Sequence, residues 1–399
     1  MNNVYIVKAN RTPFGKIGGS LASVRTDDLL AHSLKHLVDD LDFDLNLIDD
    51  IHAGCANQAG EDNRNVGRMS AILAGIPLRV PANTVNRLCG SSLDSIMEAY
   101  ARISSGIADC VIACGVESMS RGPYVISKGE NAFDRAQKMY DTSFGWRFPN
   151  PKMIEMFELL GMGQTAENLV EEFSLTREEQ DKFALNSHLK AAQAKNSGKL
   201  SKQIVPITIQ KRKSEETISN DECIRENSTL EALSKLRAVF KKGGSVTAGN
   251  SSPMNDGASS ILIVSENFLK THNLTPLARI TGAATRGVHP DTMGIGPVEA
   301  TKVLMQKNKI NINHFDVIEL NEAFAAQALS CIESLNINPE IVNPWGGAIA
   351  IGHPLGASGA RIMTSLVHQM NENKNLKNGL ATMCIGVGQG ISVSVENCL

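Results

Sequence analysis

Apolar residues recur at helical spacing just after position 90. Leu93, Ile96, Met97, Tyr100 and Ile103 follow the i, i+3, i+4, i+7 rule, so a helix is predicted whose first turn lies at or just after Cys89. The stretch Ala82 to Leu88 ahead of it reads as extended. Much later, Met363, Val367 and Met370 mark a second amphipathic helix beyond His353. Strands are signalled by Val4-Tyr5-Ile6-Val7, by the apolar run Cys110-Val111-Ile112-Ala113-Cys114, and by Ile391, Val393 and Val395, whose alternation predicts a partner for Leu380 to Ile385.

These segments repeat. Asp50-Ile51-His52-Ala53-Gly54-Cys55 precedes Cys89 by a span close to that between Asp316-Val317-Ile318-Glu319-Leu320-Asn321 and His353. Cys110 to Val116 likewise resembles Leu380 to Ile385. One αβ unit is therefore expected twice, each copy delivering strand, helix and then a reactive residue at a helix start. Halves set face to face would let nucleophile and base come from different copies. From about 121 to 244 the pattern breaks, with polar stretches such as Gln210-Lys211-Arg212-Lys213-Ser214-Glu215-Glu216 and few strand signals. The expected organisation is an N-terminal half at 1–120 plus 245–270, an inserted and mostly helical loop domain at 121–244, and a C-terminal half at 271–399. The charge run Lys211 to Lys213 reads as a solvated face.

Composition narrows the function. A chain of 399 residues, 42% hydrophobic, buries a large core in two to three domain-sized units. Its net charge of −3 and scarce aromatics point away from nucleic acid and from anionic membranes. No apolar run approaches the roughly 20 residues of a membrane helix. Eight cysteines without metal-type pairing read as reduced thiols of a cytoplasmic enzyme, with no metal expected. The N-terminus enters a strand at once, leaving no room for a targeting segment, and the final Asn397-Cys398-Leu399 is not a peroxisomal signal.

Three motifs carry chemistry. At a helix start, Cys89 would meet free backbone N–H groups and the positive end of the helix dipole, which favour thiolate over thiol. The bland alternative is a small buried hydrophobe. In Asn343-Pro344-Trp345-Gly346-Gly347-Ala348-Ile349-Ala350-Ile351-Gly352-His353-Pro354, a glycine-rich loop delivers His353 between a glycine and a proline, which suits a base that must touch a thiol. The strand Ala381-Thr382-Met383-Cys384-Ile385-Gly386-Val387-Gly388 carries another cysteine and ends in glycines, whose N–H groups can serve an oxyanion.

With these residues in view the chain resembles the thiolases over essentially its whole length. Asn321-Glu322-Ala323-Phe324-Ala325 is similar to that family's third signature. Thr247-Ala248-Gly249-Asn250-Ser251-Ser252 with Asn255-Asp256-Gly257-Ala258 is similar to its coenzyme A loop. The resemblance implies two duplicated βαβαβαββ halves in a five-layer αβαβα sandwich, assembled as a homodimer or homotetramer. It implies CoA-dependent cleavage of a 3-oxoacyl-CoA, with coenzyme A as co-substrate and no permanently bound cofactor. By it Cys89 is the nucleophile, His353 its base and Cys384 the acid and base at the α-carbon. Asn321 holds a water for one oxyanion, and Cys89 and Gly386 offer N–H groups to the other. For Asn321 a helix cap is the alternative reading. Arg225, Ala248, Ser252, Ala323 and Phe324 fall at positions for coenzyme A or substrate, and Met162 at a wall of the acyl pocket.

Within the family, Gly54-Cys55-Ala56-Asn57-Gln58-Ala59-Gly60-Glu61-Asp62-Asn63-Arg64-Asn65 and Gly145-Trp146-Arg147-Phe148 are most similar to thiolases that split 3-oxoadipyl-CoA. Arg147 would then receive a substrate carboxylate, flanked by two aromatics; the alternative is a structural ion pair with an acid of the loop domain. Gly161 stands where short-chain biosynthetic thiolases carry a histidine. Trp345 departs from the usual small or polar residue at its position, and Ser92 from the usual glycine after Cys89. The rival functions are a short-chain acetyl-CoA acetyltransferase, a Cys-His hydrolase, which would not need Cys384, and a non-catalytic CoA- or lipid-binding relative, which would have lost one of the three reactive residues.

Overall fold

The computed structural model describes residues 2–212 and 214–398. Lys213 of the charge run and the terminal Leu399 lie outside these described residues, while Lys211 and Arg212 are exposed, as a solvated face requires. The N-terminal half contributes β1 (Val4–Arg11), β2 (Gly15–Lys16), β3 (Asp50–Gly54), β4 (Ala82–Val85) and β5 (Cys110–Ser118). Two small antiparallel hairpins follow, β6 (Tyr124–Ile126) with β7 (Met139–Asp141) and β8 (Ile207–Gln210) with β9 (Glu215–Ile218). The chain then returns through β10 (Asn255–Ser265) and adds β11 (Ala278–Gly287), β12 (Val317–Leu320), β13 (Asn378–Ile385) and β14 (Gln389–Asn397).

Strand order exposes the duplication. Reading outward from β1, the strands run β10, β5, β3, β4; reading outward from β11, they run β14, β13, β12. In each half the inner pairings are antiparallel and the outer one parallel. Val342 makes a parallel bridge to Ile318 of β12, the place β4 holds beside β3. Chain leaving β4 reaches Cys89, and chain leaving Val342 reaches His353, so the two reactive residues are equivalents. The halves are also joined edge to edge, because β1 pairs antiparallel with β11 over Val4–Ile6. That ladder was not legible in the sequence.

Period-two alternation decides which face each strand buries. Val111 and Ala113 of β5 and Ile261 and Ile263 of β10 face one core, while Cys110, Ile112, Leu262 and Val264 face another. The first core holds the helices Ser91–Ser104 and Leu355–Glu372, packed together and against strands of both halves. Leu93, Ile96, Ile103, Met363, Val367 and Met370 are all fully buried there, as their spacing predicts. Helices Thr26–Val38 and Val66–Leu73 cover the outer face of one half, and Gly296–Asn308 and Ala325–Leu335 that of the other. The result is the αβαβα sandwich. At its centre a Cβ on Gly359 would stand 2.1 Å from the Leu93 backbone nitrogen, so only glycine permits this helix crossing.

Segment 121–244 carries the two hairpins besides helices such as Met162–Glu172 and Arg177–Asn196, so it has more strand than expected. It is tied down by a fully buried ion pair from Arg11 to Asp221 at 2.6 Å. Trp345 packs here against Ala194, Leu200 and Ile204, with Lys199 over its ring. Ser92 accepts a hydrogen bond from the Ala360 backbone at 2.8 Å and so ties the two central helices. Among the described residues, no helix is long and apolar enough to cross a membrane and no acidic, Cys or His cluster could hold a metal ion.

Candidate active site

Ligand crevices form outside the carboxyl ends of parallel strands, and here both halves aim theirs at one place. β4 ends at Val85, and the chain turns sharply through Leu88, whose φ of 46° lies in the left-handed region. Hydrogen bonds hold that turn: Arg87 N–H donates to Ser91 Oγ at 2.9 Å, and Leu88 N–H to Asn86 Oδ1 at 2.9 Å. Arg87 also pairs with Asp94 at 2.9 Å and reaches Gln389 of the other half at 3.2 Å. Gly90 caps the helix, leaving Cys89 just outside its first turn.

Two backbone N–H groups, from Gly386 and from Cys89 itself, point at the Cys89 sulfur. That is the arrangement an oxyanion site needs. Gly386 precedes Val387, again left-handed with φ 65°, so strained backbone flanks the sulfur on both sides. The expectation of a depressed thiol pKa is corrected: burial pushes the Cys89 thiol up to about 11, outweighing the pull of those N–H groups. The cause is long-range, since the enclosing walls come from distant segments. Cys89 rests as a thiol and needs a base.

His353 has the chemistry of one. It is buried, and Gly352 before it adopts a φ of 122°, where a Cβ would stand 2.7 Å from the Asn255 side chain. Asn255 Oδ1 accepts the His353 backbone N–H at 2.9 Å. The imidazole Nδ1 lies 2.6 Å from Ser358 Oγ, and Ser358 in turn donates its single proton to the Pro354 carbonyl at 2.8 Å. Ser358 must therefore accept, which places the imidazole proton on Nδ1 and leaves Nε2 a bare lone pair. Nε2 is buried without a hydrogen-bond partner. Burial, with Arg361 next, pushes this histidine down to about 3, so the ring is neutral at working pH. A neutral ring with a free Nε2 is a proton acceptor.

Asn321 follows β12 directly. Its backbone N–H donates to Thr382 of β13 at 3.0 Å, its Oδ1 accepts from the buried Arg361 at 3.2 Å, and its Nδ2 lies 3.4 Å from His353 Nδ1. The helix-cap alternative is excluded, because Phe324 occupies the N-cap of Ala325–Leu335 and no side chain caps it. Cys384 is buried near the end of β13, where burial and then the Cys89 sulfur raise its thiol well above the ordinary value. It shares an apolar cluster with Met162, Ala323 and Phe324.

A cavity of about 300 Å³ is lined by Cys89. Met162, Gly386, Arg147, Trp146, Asn57 and Glu117 are among its walls. The guanidinium of Arg147 donates to the Thr142 carbonyl at 3.1 Å and, among the described residues, makes no ion pair; this removes the structural pairing with a loop-domain acid. The acid that feels its charge is Asp62 of the N-terminal half, which burial lifts to about 6. Of the two flanking aromatics Trp146 lines the cavity, whereas Phe148 packs edge-on against Tyr140. A second, open cleft of about 590 Å³ holds Arg225, Leu233 and Leu236. Gly249 lies against Leu233 and Leu236, and Ala248 before it is exposed. Ser252 N–H donates to the Ala323 carbonyl at 3.0 Å, which joins this loop to the one carrying Asn321.

Two residues escaped the sequence reading. Ser358 is visible only as a hydroxyl four residues after Pro354, and Glu117 only as an acid closing an apolar strand. Glu117 is buried and accepts backbone N–H groups from Ala56 at 3.0 Å, Asn57 at 3.0 Å and Gly356 at 2.8 Å. It thereby fastens a cavity wall to the loop after His353. Burial lifts its carboxyl to about 7.

Family models for the thiolase N-terminal domain and the thiolase C-terminal domain match residues 4–267 and 274–397. The chain belongs to the thiolase family and is an acyltransferase with coenzyme A as co-substrate. It is 52% identical to a beta-ketoadipyl-CoA thiolase of Acinetobacter baylyi over 99% of this chain and 100% of that one. It is 49% identical to the 3-oxoadipyl-CoA/3-oxo-5,6-dehydrosuberyl-CoA thiolase of Escherichia coli K12, with the same coverage. The crystal structure of a Bacillus anthracis acetyl-CoA acetyltransferase superposes with a TM-score of 0.93 at 39% identity, covering 100% of this chain and 99% of that one.

Proposed function

We propose that this thiolase cleaves 3-oxoadipyl-CoA. Cys89 gives its proton to His353 Nε2 and attacks the 3-keto carbon. The bond between C2 and C3 breaks, its electron pair stays on C2, and Cys384 protonates that carbanion to give acetyl-CoA. The acyl group remains on Cys89 as a thioester, its oxygen facing the N–H groups of Cys89 and Gly386. Coenzyme A, deprotonated by Cys384, then takes the acyl group, and the proton held by His353 returns to Cys89. Asn321 and His353 serve the enolate oxygen of the departing thioester. Arg225, Ala248 and Ser252 hold coenzyme A, and Ala323, Phe324 and Met162 border the reacting carbons. Support for the division into 1–120 plus 245–270, 121–244 and 271–399 comes from the hairpins of 121–244, which stand apart from the main sheet. Eight free cysteines support a cytoplasmic location. Exposed Tyr124, Ile126 and Met139 on the β6–β7 hairpin support a homodimer or homotetramer.

The observation that carries the substrate is Arg147 in the wall of the Cys89 cavity, a cation that makes no ion pair among the described residues, although Asp62 feels its charge at longer range. A dicarboxylic acyl chain brings the missing anion, and the names of the relatives agree. The test compares kcat/KM for 3-oxoadipyl-CoA with that for an uncharged 3-oxoacyl-CoA of equal length. A preference for the diacid is expected, falling in Arg147→Met by about 2–4 kcal/mol, the scale for stranding one partner of a buried charge pair. A preference for the uncharged chain would instead support short-chain acetyl transfer.

A further inference from the structure

The geometry assigns Asn57 as the residue that positions Arg147 for the substrate's terminal carboxylate, an inference that rests on the diacid reading above. The two side chains meet at one acceptor. Arg147 Nη1 donates to the Thr142 carbonyl at 3.1 Å, and Asn57 Nδ2 donates to that same carbonyl at 3.2 Å and to Thr142 Oγ1 at 3.0 Å. All three residues line the same cavity as Cys89.

Asn57 is not free to bind substrate itself. Both Nδ2 protons are engaged on Thr142, and its Oδ1 accepts from the Ala59 backbone at 3.1 Å. Its own backbone N–H is fixed by Glu117 at 3.0 Å, and its carbonyl accepts from the Cys55 thiol at 2.9 Å. Asn57 is thus anchored to the rigid end of β5, whereas the segment bearing Arg147 leaves the small β6–β7 hairpin and passes through Gly145 at φ 78°. Thr142 Oγ1 continues the line to the Pro123 carbonyl at 2.7 Å, clamping both ends of that hairpin. The Asn57 amide is the strut that carries the fixed geometry of the sheet across to the guanidinium. A carboxylate receptor needs its cation held in place before the ligand arrives, and that placement is what Asn57 supplies.

The readout is the ratio of kcat/KM for 3-oxoadipyl-CoA to that for the uncharged 3-oxoacyl-CoA of equal length, measured in the full-length enzyme. The parent, Asn57→Ala, Arg147→Met and the double variant complete a cycle. The inference expects the ratio to fall about tenfold in Asn57→Ala, with most of the loss in KM for the diacid. In the Arg147→Met background, removing Asn57 should lower it no further. Thr142→Val, which deletes one of the two acceptors without opening a cavity, should move the ratio in the same direction by a smaller factor, and keeps the test alive if Asn57→Ala folds poorly. Two outcomes overturn the inference while leaving the diacid reading intact: an unchanged ratio in Asn57→Ala, or losses that multiply in the double variant. If Arg147→Met alone leaves the ratio unchanged, the diacid reading falls, and this inference falls with it.

Discussion

Replacing Ser358 by Ala should disable the base without touching the nucleophile. In the parent, Ser358 Oγ accepts from His353 Nδ1 at 2.6 Å because its proton is committed to Pro354 at 2.8 Å. Alanine leaves a buried Nδ1–H with no acceptor, and the other group at hand, Asn321 Nδ2 at 3.4 Å, is a donor. The satisfied arrangement becomes the opposite tautomer, with Nδ1 accepting from Asn321 and the proton moved to Nε2. That ring cannot take a proton from Cys89. Stranding a buried donor costs about 1–3 kcal/mol, and this much of the productive tautomer's population is lost, so acylation of Cys89 should slow by roughly fivefold to more than a hundredfold. Rapid-quench mixing with 3-oxoacyl-CoA, followed by mass spectrometry of the Cys89 peptide, measures that rate. KM should change little, since Ser358 is buried behind the imidazole. Acylation at the parent's rate would refute the tautomer argument, as would equal losses in acylation and in α-proton exchange.

Cys384→Ser should still be acetylated at Cys89 by acetyl-CoA, a thioester exchange that breaks no C–C bond, but lose making and breaking of the C–C bond, because a serine hydroxyl is too weak an acid and base for the α-carbon proton; proton exchange at the acetyl methyl should stop while acetyl-enzyme still forms. Glu117 has a folded pKa near 7, above its ordinary 4.5, so over that window it is protonated when folded and ionised when unfolded. The stability it contributes is full below about 4.5 and is lost as pH rises through about 7. Glu117→Gln should therefore flatten the decline of melting temperature across that window, with a remainder from Glu319, which burial also lifts to about 7. An unchanged slope in calorimetry would remove Glu117 as its source.

What the sequence revealed was local. Helix faces such as Leu93, Ile96 and Ile103 bury as their spacing requires, and glycine-rich motifs deliver Cys89, His353 and Gly386 where loops end parallel strands. What it hid depends on segments far apart. The Cys89 thiol rises rather than falls because remote walls desolvate it, a term stronger than the local N–H groups that the motif foretold. The edge pairing of β1 with β11 joins residues hundreds of positions apart with no turn signal between them. Phe148 sits beside Arg147 in sequence yet its ring meets Tyr140 of β7, and its own backbone is left-handed with a φ of 46°, a turn that no residue type in the motif announces. Arg361 shows the same limit: one helix arginine, apparently ordinary, holds both Glu319 and Asn321 at the centre of the site.

The central claim is that Cys89 carries the acyl group between two half-reactions, and trapping that intermediate tests it most directly. The enzyme is mixed with 3-oxoadipyl-CoA in the absence of free coenzyme A, quenched in acid, and mapped by peptide mass spectrometry. The account predicts one acyl group per chain on the peptide containing Cys89, released as acyl-CoA when coenzyme A is added before the quench. A label on Cys384, or an unmodified Cys89 in an enzyme that still turns over, would contradict it.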